Sequence, residues 1–297
     1  MKLLVIVITY NAINWAEKCF GSLKKSNYAH DVYVVDNGSN DGTIDYIKNN
    51  YPSVLLYQSK VNLGFGKANN LGLQYAIDNN YDFVYLLNQD AWVFPDTFEK
   101  IIEISNHYKS YGILSPFQME SNMKHIDRWF KSVTCSYDSS NELLDYLYLN
   151  KNVDVIPVAN VMAAHWLIRR ETILKVGGFS PSFPHYGEDY NYISRVAFHG
   201  MKVGIVPSLM VVHDRENRLI SPAKIMYKHY TTNLRYISSP DRDKYIWLKI
   251  IYREAKEVLH YRSIDPIVYI YKLLSKYKSI ELNREKSMTK AAAFLKV

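Results

Sequence analysis

Three short segments of this chain carry residue types that do chemistry. Leu86-Leu87-Asn88-Gln89-Asp90 is an apolar run ending in a carboxylate, and Val211-Val212-His213-Asp214 is a second apolar run ending in an imidazole. Between them in sequence lies Gly187-Glu188-Asp189, reached from Gly177-Gly178-Phe179 through Pro184-His185-Tyr186. An Asp and a His at strand ends suit a divalent cation, and an adjacent Glu-Asp pair suits a general base. A base that takes a hydroxyl proton and a cation that neutralises a departing diphosphate are the equipment for moving a sugar from a nucleotide diphosphate to a hydroxyl.

The elements that must position these residues alternate strand and helix. Residues 3–8 form a continuous, largely β-branched run, as buried parallel strands do. Asn14 is placed to cap a helix with Trp15, Cys19 and Leu23 on one side. Residues 32–35 predict a second strand, and the stretch from Asp36 to Gly42 after it is dense in turn chemistry. Helices are expected over 43–50 and 65–79, with strands at 54–57 and 83–87. This order implies right-handed crossovers and a mainly parallel sheet with flanking helices, whose ligands sit beyond the carboxyl ends of the strands. Thr9-Tyr10-Asn11, Asp36 and Asn88-Gln89-Asp90 all fall at such ends.

Residues 115–152 are rich in Ser, Asn and Tyr with no sustained period, and read as acceptor-side loops. Regularity returns at 153–161, in helices at 171–176 and 188–199, and in two strands at 203–206 and 209–212. Beyond Ser221 the pattern is helical. Trp247, Ile250, Ile251, Ala255, Val258 and Leu259 make one stripe, and Pro266 opens a helix with Ile267, Ile270, Tyr271, Leu274 and Tyr277 on one side. The expected division is a catalytic unit over 1–222, nucleotide-binding to 115 and acceptor-side from 116, followed by a basic, Tyr-rich helical appendage over 223–297.

The 48% hydrophobic content is that of a folded core and argues against a disordered chain. Cys19 and Cys135 are too few for a disulfide framework or a structural zinc site, so a reducing cytoplasm is the expected compartment. No signal peptide or membrane-spanning run is legible. The net charge of +7 is uneven: residues 223–297 hold 16 Lys plus Arg against 7 Asp plus Glu. A basic tail on a near-neutral body points to an anionic surface, a membrane face in particular. No nucleic-acid-binding module is recognisable, so nucleic acid is not an expected partner.

Taken together, Val7-Ile8-Thr9-Tyr10-Asn11, Val34-Val35-Asp36-Asn37-Gly38-Ser39-Asn40-Asp41-Gly42-Thr43, the stretch from Asn62 to Gly72, Leu86 to Ala91, and Arg169-Arg170-Glu171 through Asp189 resemble inverting family 2 glycosyltransferases of the GT-A fold. The resemblance covers about residues 1 to 240. The Asn-Leu-Gly-Phe-Gly and Leu-Asn-Gln-Asp forms, with Tyr227 to Arg235, are most similar to bacterial rhamnosyl- and galactofuranosyltransferases.

That resemblance implies roles. Thr9, Tyr10, Asn11 and Asp36 would hold the nucleoside, with Asp36 accepting the N3 proton of uracil or thymine; Asn88 and Gln89 would lie on the donor side. Gly64, Gly66 and Gly72 do not follow the first strand, and Asn70 replaces the third glycine of a dinucleotide loop, so a nicotinamide cofactor is rejected. These glycines would instead bring backbone close to the nucleotide, with Lys67 or Asn69 near ribose or phosphate. Asp90 and His213 would bind Mg2+ or Mn2+, although Asn88 replaces the first acid of the usual Asp-X-Asp. Asp189 would be the base and Glu188 its positioning neighbour. Two acids at a helix start also complement its dipole. Trp166 and His185 are candidates to touch sugar or acceptor, Trp166 by stacking unless it is core. The implied partners are dTDP-rhamnose or a UDP-sugar as donor and a glycan or lipid-linked glycan as acceptor in bacterial surface polysaccharide synthesis. Pairing into a homodimer and peripheral membrane attachment are further expectations. The competing class is a non-catalytic nucleotide-sugar-binding or scaffolding subunit, which the loss of an acid at Asn88 leaves open.

Overall fold

The first apolar run forms β1 (Leu3–Thr9), whose alternate side chains feed two separate cores. Leu4 and Ile6 join one apolar layer while Leu3, Val5 and Val7 join the layer on the opposite face. A strand covered on both faces must be apolar at every position, which is why its sequence shows no alternation. The computed structural model describes residues 1–134, 140–149, 152–215 and 222–296.

The chain continues through α1 (Ile13–Lys24), β2 (Asp31–Asp36), α2 (Thr43–Asn50), β3 (Leu55–Gln58), α3 (Phe65–Asp78), β4 (Phe83–Asn88), the two-residue β5 (Ala91–Trp92) and α4 (Thr97–His107). It then forms β6 (Tyr111–Met119), α5 (Arg128–Thr134), α6 (Ser140–Leu149), the two-residue β7 (Ile156–Pro157), β8 (His165–Arg169), α7 (Arg170–Val176), α8 (Glu188–Phe198) and β9 (Lys202–His213). Four helices end the chain: α9 (Pro222–Ser238), α10 (Ile246–Tyr261), α11 (Asp265–Ser275) and α12 (Tyr277–Thr289).

The strands form one mixed, mainly parallel sheet in the order β3-β2-β1-β4-β8-β6-β9-β5, with β7 beside β9. β1, β2, β3 and β4 pair in parallel, as do β6 and β9, while β8 runs antiparallel between β4 and β6. The strand order reverses between β1 and β4, and a crevice opens at such a switch beyond the carboxyl ends. Register places Thr9 opposite Asp36 and Ile8 opposite Asn88, so three candidate segments emerge side by side.

Several expectations are corrected here. Asn14 lies inside α1 rather than capping it, because Ala12 is the N-cap. The first amides are satisfied from the next crossover instead: Ala12 N–H donates to Thr43 Oγ1 at 2.8 Å and Ile13 N–H to Asp41 Oδ2 at 3.0 Å. The strands expected at 203–206 and 209–212 are one strand, β9. Its register against β6 shifts between Pro116 and Phe117, where Val206 gives way to Met210 as partner. Pro207 cannot donate to a ladder, which is why the sequence looked broken there. The stretch read as loops from Ser115 begins inside a buried strand, β6, and includes α5 and α6. Polar Ser115 and Gln118 obscured the pattern; buried, they pair with each other at 3.2 Å. Residues 135–139 and 150–151 of that stretch lie outside the described residues.

The C-terminal helices have a cluster of their own, built from Tyr230, Leu234, Ile237, Ile246, Ile250, Leu273 and Ile280, and it takes Phe183 from the loop before α8. The chain end then returns to the sheet-bearing body: Ala292 N–H donates to Leu174 O at 2.7 Å and Gly178 N–H to Ala293 O at 2.8 Å. No described helix is long and apolar enough to cross a membrane.

Candidate active site

At the end of β2, Asp36 is fully buried and braces the turn that follows β1. Its Oδ1 accepts from Thr9 Oγ1 at 2.8 Å and from Ser39 Oγ, and its Oδ2 accepts the Gly38 and Ser39 amides at 3.0 and 2.9 Å. A carboxylate offers about four lone-pair positions, and all are taken by this strand-end turn. The expected contact from Asp36 to a nucleobase would therefore have to displace one of these bonds. The groups the turn presents outward are Tyr10 and Asn11. Asn11 sits at φ 50°, a left-handed conformation that Asn tolerates, with its amide held by Ser39 Oγ at 2.9 Å and its Oδ1 accepting Asn40 N–H. Gln89 pins the neighbouring backbone: its Oε1 accepts Tyr10 N–H at 2.7 Å while its Nε2 donates to Tyr10 O at 3.2 Å. The Tyr10 ring is left exposed, a face on which a base can stack.

Asp90 and His213 are brought together by the short pairing of β5 with β9, in which Ala91 lies opposite His213 and Asp214 N–H donates to Asp90 O at 2.7 Å. His213 Nε2 stands 3.5 Å from Asp90 Oδ1 and 3.5 Å from Asn88 Nδ2. An octahedral cation bonded to both at about 2.1 Å would bring them to about 3 Å apart, a closing of about half an ångström from the observed gap. With that closing the pair fits a divalent cation. No cluster of three His, Cys, Asp or Glu exists among the described residues, so further oxygens would have to come from ligand and water. Burial opposes the charge on Asp90, yet the His213 ring and the Arg215 charge outweigh it and hold its pKa below the ordinary value.

Behind His213 lies a residue that the sequence reading did not find. Asp127, buried, places Oδ2 3.8 Å from His213 Nδ1 and 3.2 Å from Arg215 Nε, while its Oδ1 accepts Phe130 N–H at the start of α5. Arg215 Nε is also 3.3 Å from His213 Nδ1. Asp127 thus steers the ring through Arg215, which donates to Nδ1; at 3.8 Å the carboxylate itself makes no direct hydrogen bond to the imidazole. Asp127 stands in the irregular stretch, so only its partners reveal it.

The acidic pair opens α8, after Tyr186 and Gly187, both with positive φ. Gly64, which caps α3, and Gly66 in its first turn meet this loop, while Gly72 packs against Ile6 of β1. A Cβ on Gly64 would lie 2.6 Å from Pro184 O, and one on Gly66 would touch Phe179 and Glu188. Asn70 clamps the other side, accepting Phe179 N–H at 2.6 Å and donating to Phe179 O at 2.9 Å. Glu188 is buried and its Oε2 has no hydrogen-bond partner; desolvation, then the neighbouring Asp189 charge, push its pKa up to about 8. Asp189 is half-buried, and burial raises its pKa too, with Arg235 and Arg215 pulling the other way. Arg235, from α9, stacks 3.4 Å over the Tyr190 ring. Arg215 lies within electrostatic reach of Asp127, Asp90 and Asp189. Neither arginine was singled out as a site residue from sequence.

Other expected site residues fall elsewhere. Trp166 is fully buried on β8, stacked parallel to Phe179 at 6.4 Å, so it is core and cannot stack on a sugar. Asn69 is buried and donates back to Phe65 O at 3.0 Å within α3, which removes it from ribose or phosphate contact. His165 is a core residue bridging Tyr85 and Val212 O, and burial drops its pKa to about 3. Lys67 is exposed on the first turn of α3. His185 is exposed just before the acidic pair, with its carbonyl accepting Tyr227 OH at 3.1 Å.

A family model described as Glycosyl transferase family 2 matches residues 4–177. The chain is 24% identical over 264 residues to the N-acetylglucosaminyl-diphospho-decaprenol L-rhamnosyltransferase of Mycobacterium tuberculosis, covering 82% of this chain and 85% of that protein. It is 29% identical over 106 residues to the undecaprenyl-phosphate mannosyltransferase of Micrococcus luteus, 35% of this chain and 44% of that one. Among solved structures, S. aureus TarS 1-349 in complex with UDP superposes with a TM-score of 0.56 at 16% identity, over 82% of this chain and 68% of that chain. The mannosyltransferase PcManGT from Pyrobaculum calidifontis, in complex with GDP-Man and Mn2+, gives 0.55 at 17% identity, over 79% and 61%. These likenesses establish the GT-A-like α/β fold.

Proposed function

Because the chain belongs to glycosyltransferase family 2, we propose that it transfers a sugar, with inversion, from a nucleotide diphosphate to a hydroxyl of a glycan or lipid-linked glycan, with Asp189 as base. One observation supports this reading: Arg215, which contacts Asp127 and His213, carries a charge felt by both Asp90 and Asp189, beyond the carboxyl ends of β4 and β9. The acceptor oxygen attacks the anomeric carbon as the bond to the diphosphate breaks, and Asp189 takes the acceptor proton. Glu188, neutral at pH 7 with a pKa near 8, cannot compete for that proton and keeps negative charge off the Asp189 neighbourhood. Arg215 and Arg235 face the charge that develops on the leaving diphosphate. Asp90 and His213 would hold Mg2+ or Mn2+, which when bound neutralises that diphosphate. Tyr10 and the turn braced by Asp36 and Gln89 receive the nucleoside.

The rhamnosyltransferase relative supports dTDP-rhamnose as donor, while the UDP complex of TarS supports a UDP-sugar. We take residues 1–222 as the catalytic unit and 223–297 as a helical appendage that also lends Arg235 and Tyr227 to the site. The test is nucleoside diphosphate release from dTDP-rhamnose, UDP-galactofuranose, UDP-glucose and UDP-N-acetylglucosamine, with and without Mn2+. Release from one donor, lost in Asp189→Asn, supports transfer. Donor binding without release from any of the four would favour the scaffolding reading.

A further inference from the structure

The apolar residues of the two C-terminal helices α10 and α11 divide between an inward and an outward face. In α10, Ile246, Ile250 and Glu254 turn inward, whereas Leu248, Ile251, Tyr252 and Leu259 are exposed. In α11, Pro266 and Leu273 turn inward, and Ile264, Ile267, Val268, Tyr271 and Leu274 form an outward row with spacing i, i+3, i+4, i+7, i+10. An outward helical face is ordinarily polar. Here Leu259 is 79% exposed, Tyr271 72% and Ile264 70%. Inward residues of both helices join the same α9-centred cluster, so both outward rows turn away from it.

The flanking charge identifies what covers this face. Arg262 and Lys272 bracket the α11 row, Lys256 lies 4.4 Å over the Tyr252 ring of α10, and Lys276 and Lys278 follow. A twofold contact between copies would press two such basic surfaces together, within a tail whose surplus is +9. An anionic partner with an apolar interior has the complementary chemistry. At 11 residues, α11 spans about 16 Å, about half a bilayer core, so it would lie in the interface plane.

We propose that the outward rows of α10 and α11 seat this protein on an anionic lipid bilayer, with the aliphatic side chains and Tyr271 inserted at headgroup depth and Arg262, Lys256 and Lys272 on lipid phosphates. Amphipathic helices with basic flanks bind interfaces by this combination. The face also connects to the catalytic loop. Tyr186, Tyr227, Tyr230 and Tyr269 of α11 form a chain of rings with centroids 6.5, 5.8 and 5.4 Å apart. Docking on α11 would thus hold the segment before Glu188 close to the lipid surface. Exposure and charge carry this inference independently of the sugar-transfer reading.

The full chain is tested by co-sedimentation with phosphatidylglycerol vesicles and with phosphatidylcholine vesicles, alongside sedimentation velocity without lipid. Binding to phosphatidylglycerol and not to phosphatidylcholine is expected, weakening about fivefold for each engaged basic residue neutralised to Gln. Ile264→Asp with Tyr271→Asp, both at exposed positions where folding can be confirmed by circular dichroism, should lower the apparent affinity more than tenfold. The same variant should release nucleoside diphosphate from soluble donor as the parent does, so failure of docking and failure of catalysis read out separately. Absence of binding to phosphatidylglycerol at low salt overturns the inference, as does binding that the double variant leaves unchanged. A lipid-independent dimer dissolved by that variant would also overturn it and make the face a contact between copies.

Discussion

Glu188 gives a prediction whose sign can be worked from its surroundings. It is 5% exposed, its Oε2 lacks a partner, and Asp189 is adjacent in the first turn of α8. Its pKa rises from an ordinary 4.5 to about 8 through desolvation and then the Asp189 charge. In the unfolded chain this carboxyl loses its proton in the ordinary carboxylate range, while the fold keeps the proton until about pH 8. Between those values the native state binds more protons than the unfolded state, so stability falls as pH rises and levels off above the folded pKa. Each tenfold step in proton affinity is about 1.4 kcal/mol, which sets a ceiling of about 5 kcal/mol. Water reaching the half-buried Asp189 can relax part of that, so about 2 to 5 kcal/mol is expected.

Glu188→Gln replaces the neutral acid by a neutral group of the same shape. It should match the parent at about pH 3.5, below the unfolded value, and exceed it by that amount at about pH 9, in urea unfolding followed by circular dichroism. Asp189 also has a raised pKa, so a shallower slope of the same sign remains in the variant. Turnover near neutral pH should stay within a few-fold of the parent, because Glu188 is uncharged there. Parallel stability curves for the two proteins would refute the burial argument. Loss of turnover in Glu188→Gln as deep as in Asp189→Asn would refute the assignment of the base.

Asp189→Asn should fold and bind nucleoside diphosphate yet lose about 10²- to 10⁴-fold in transfer, measured as diphosphate release; near-normal turnover would move the base elsewhere. Nucleoside diphosphate binding by calorimetry should strengthen with Mn2+, an effect abolished in Asp90→Ala and reduced less in His213→Ala, since imidazole is the softer partner for a hard cation. Asp127→Ala should weaken the Mn2+ effect about 10- to 100-fold through loss of His213 orientation, whereas unaltered Mn2+ dependence would leave Asp127 as a cap for α5 alone. Gly64→Ala sets a Cβ at φ 77°, 2.6 Å from Pro184 O; it should displace the loop before Glu188 and cut turnover while leaving the far-ultraviolet spectrum intact.

The parts of the fold that were legible in sequence are those in which one local rule decides the outcome. A run buried on both faces, such as residues 3–9, can only be apolar, and the turn after β2 needs Asn, Gly and Ser whatever surrounds it. Asp90 and His213 stand out by position, as polar groups that end apolar runs at a carboxyl end, but position alone does not separate a ligand from a brace. What sequence could not show depends on partners far away in the chain. Trp166 reads as a sugar platform or as core until Phe179 is seen stacked on it. Asp36 reads as a ligand until four internal donors are found on its oxygens. Asp127 and Arg235 have no signature of their own and gain meaning only from His213 and Asp189.

The same reasoning separates the two kinds of polar residue at this site. Those that hold the scaffold, Asp36, Asn69, Asn70 and Gln89, are engaged by backbone groups, as a rigid frame requires. Those assigned to chemistry are left underused: Glu188 Oε2 lacks a partner, and His213 Nε2 meets Asp90 and Asn88 only at 3.5 Å. A buried polar group left short of partners costs about 1 to 3 kcal/mol, which a ligand offsets where it supplies the missing contact. Other buried atoms, Gln118 Oε1, Trp166 Nε1 and Arg195 Nε among them, are also unpartnered, so that cost alone does not mark a working site. The proposed assignment of chemistry to Glu188, Asp189, Asp90 and His213 rests instead on their place at the strand ends and in the first turn of α8.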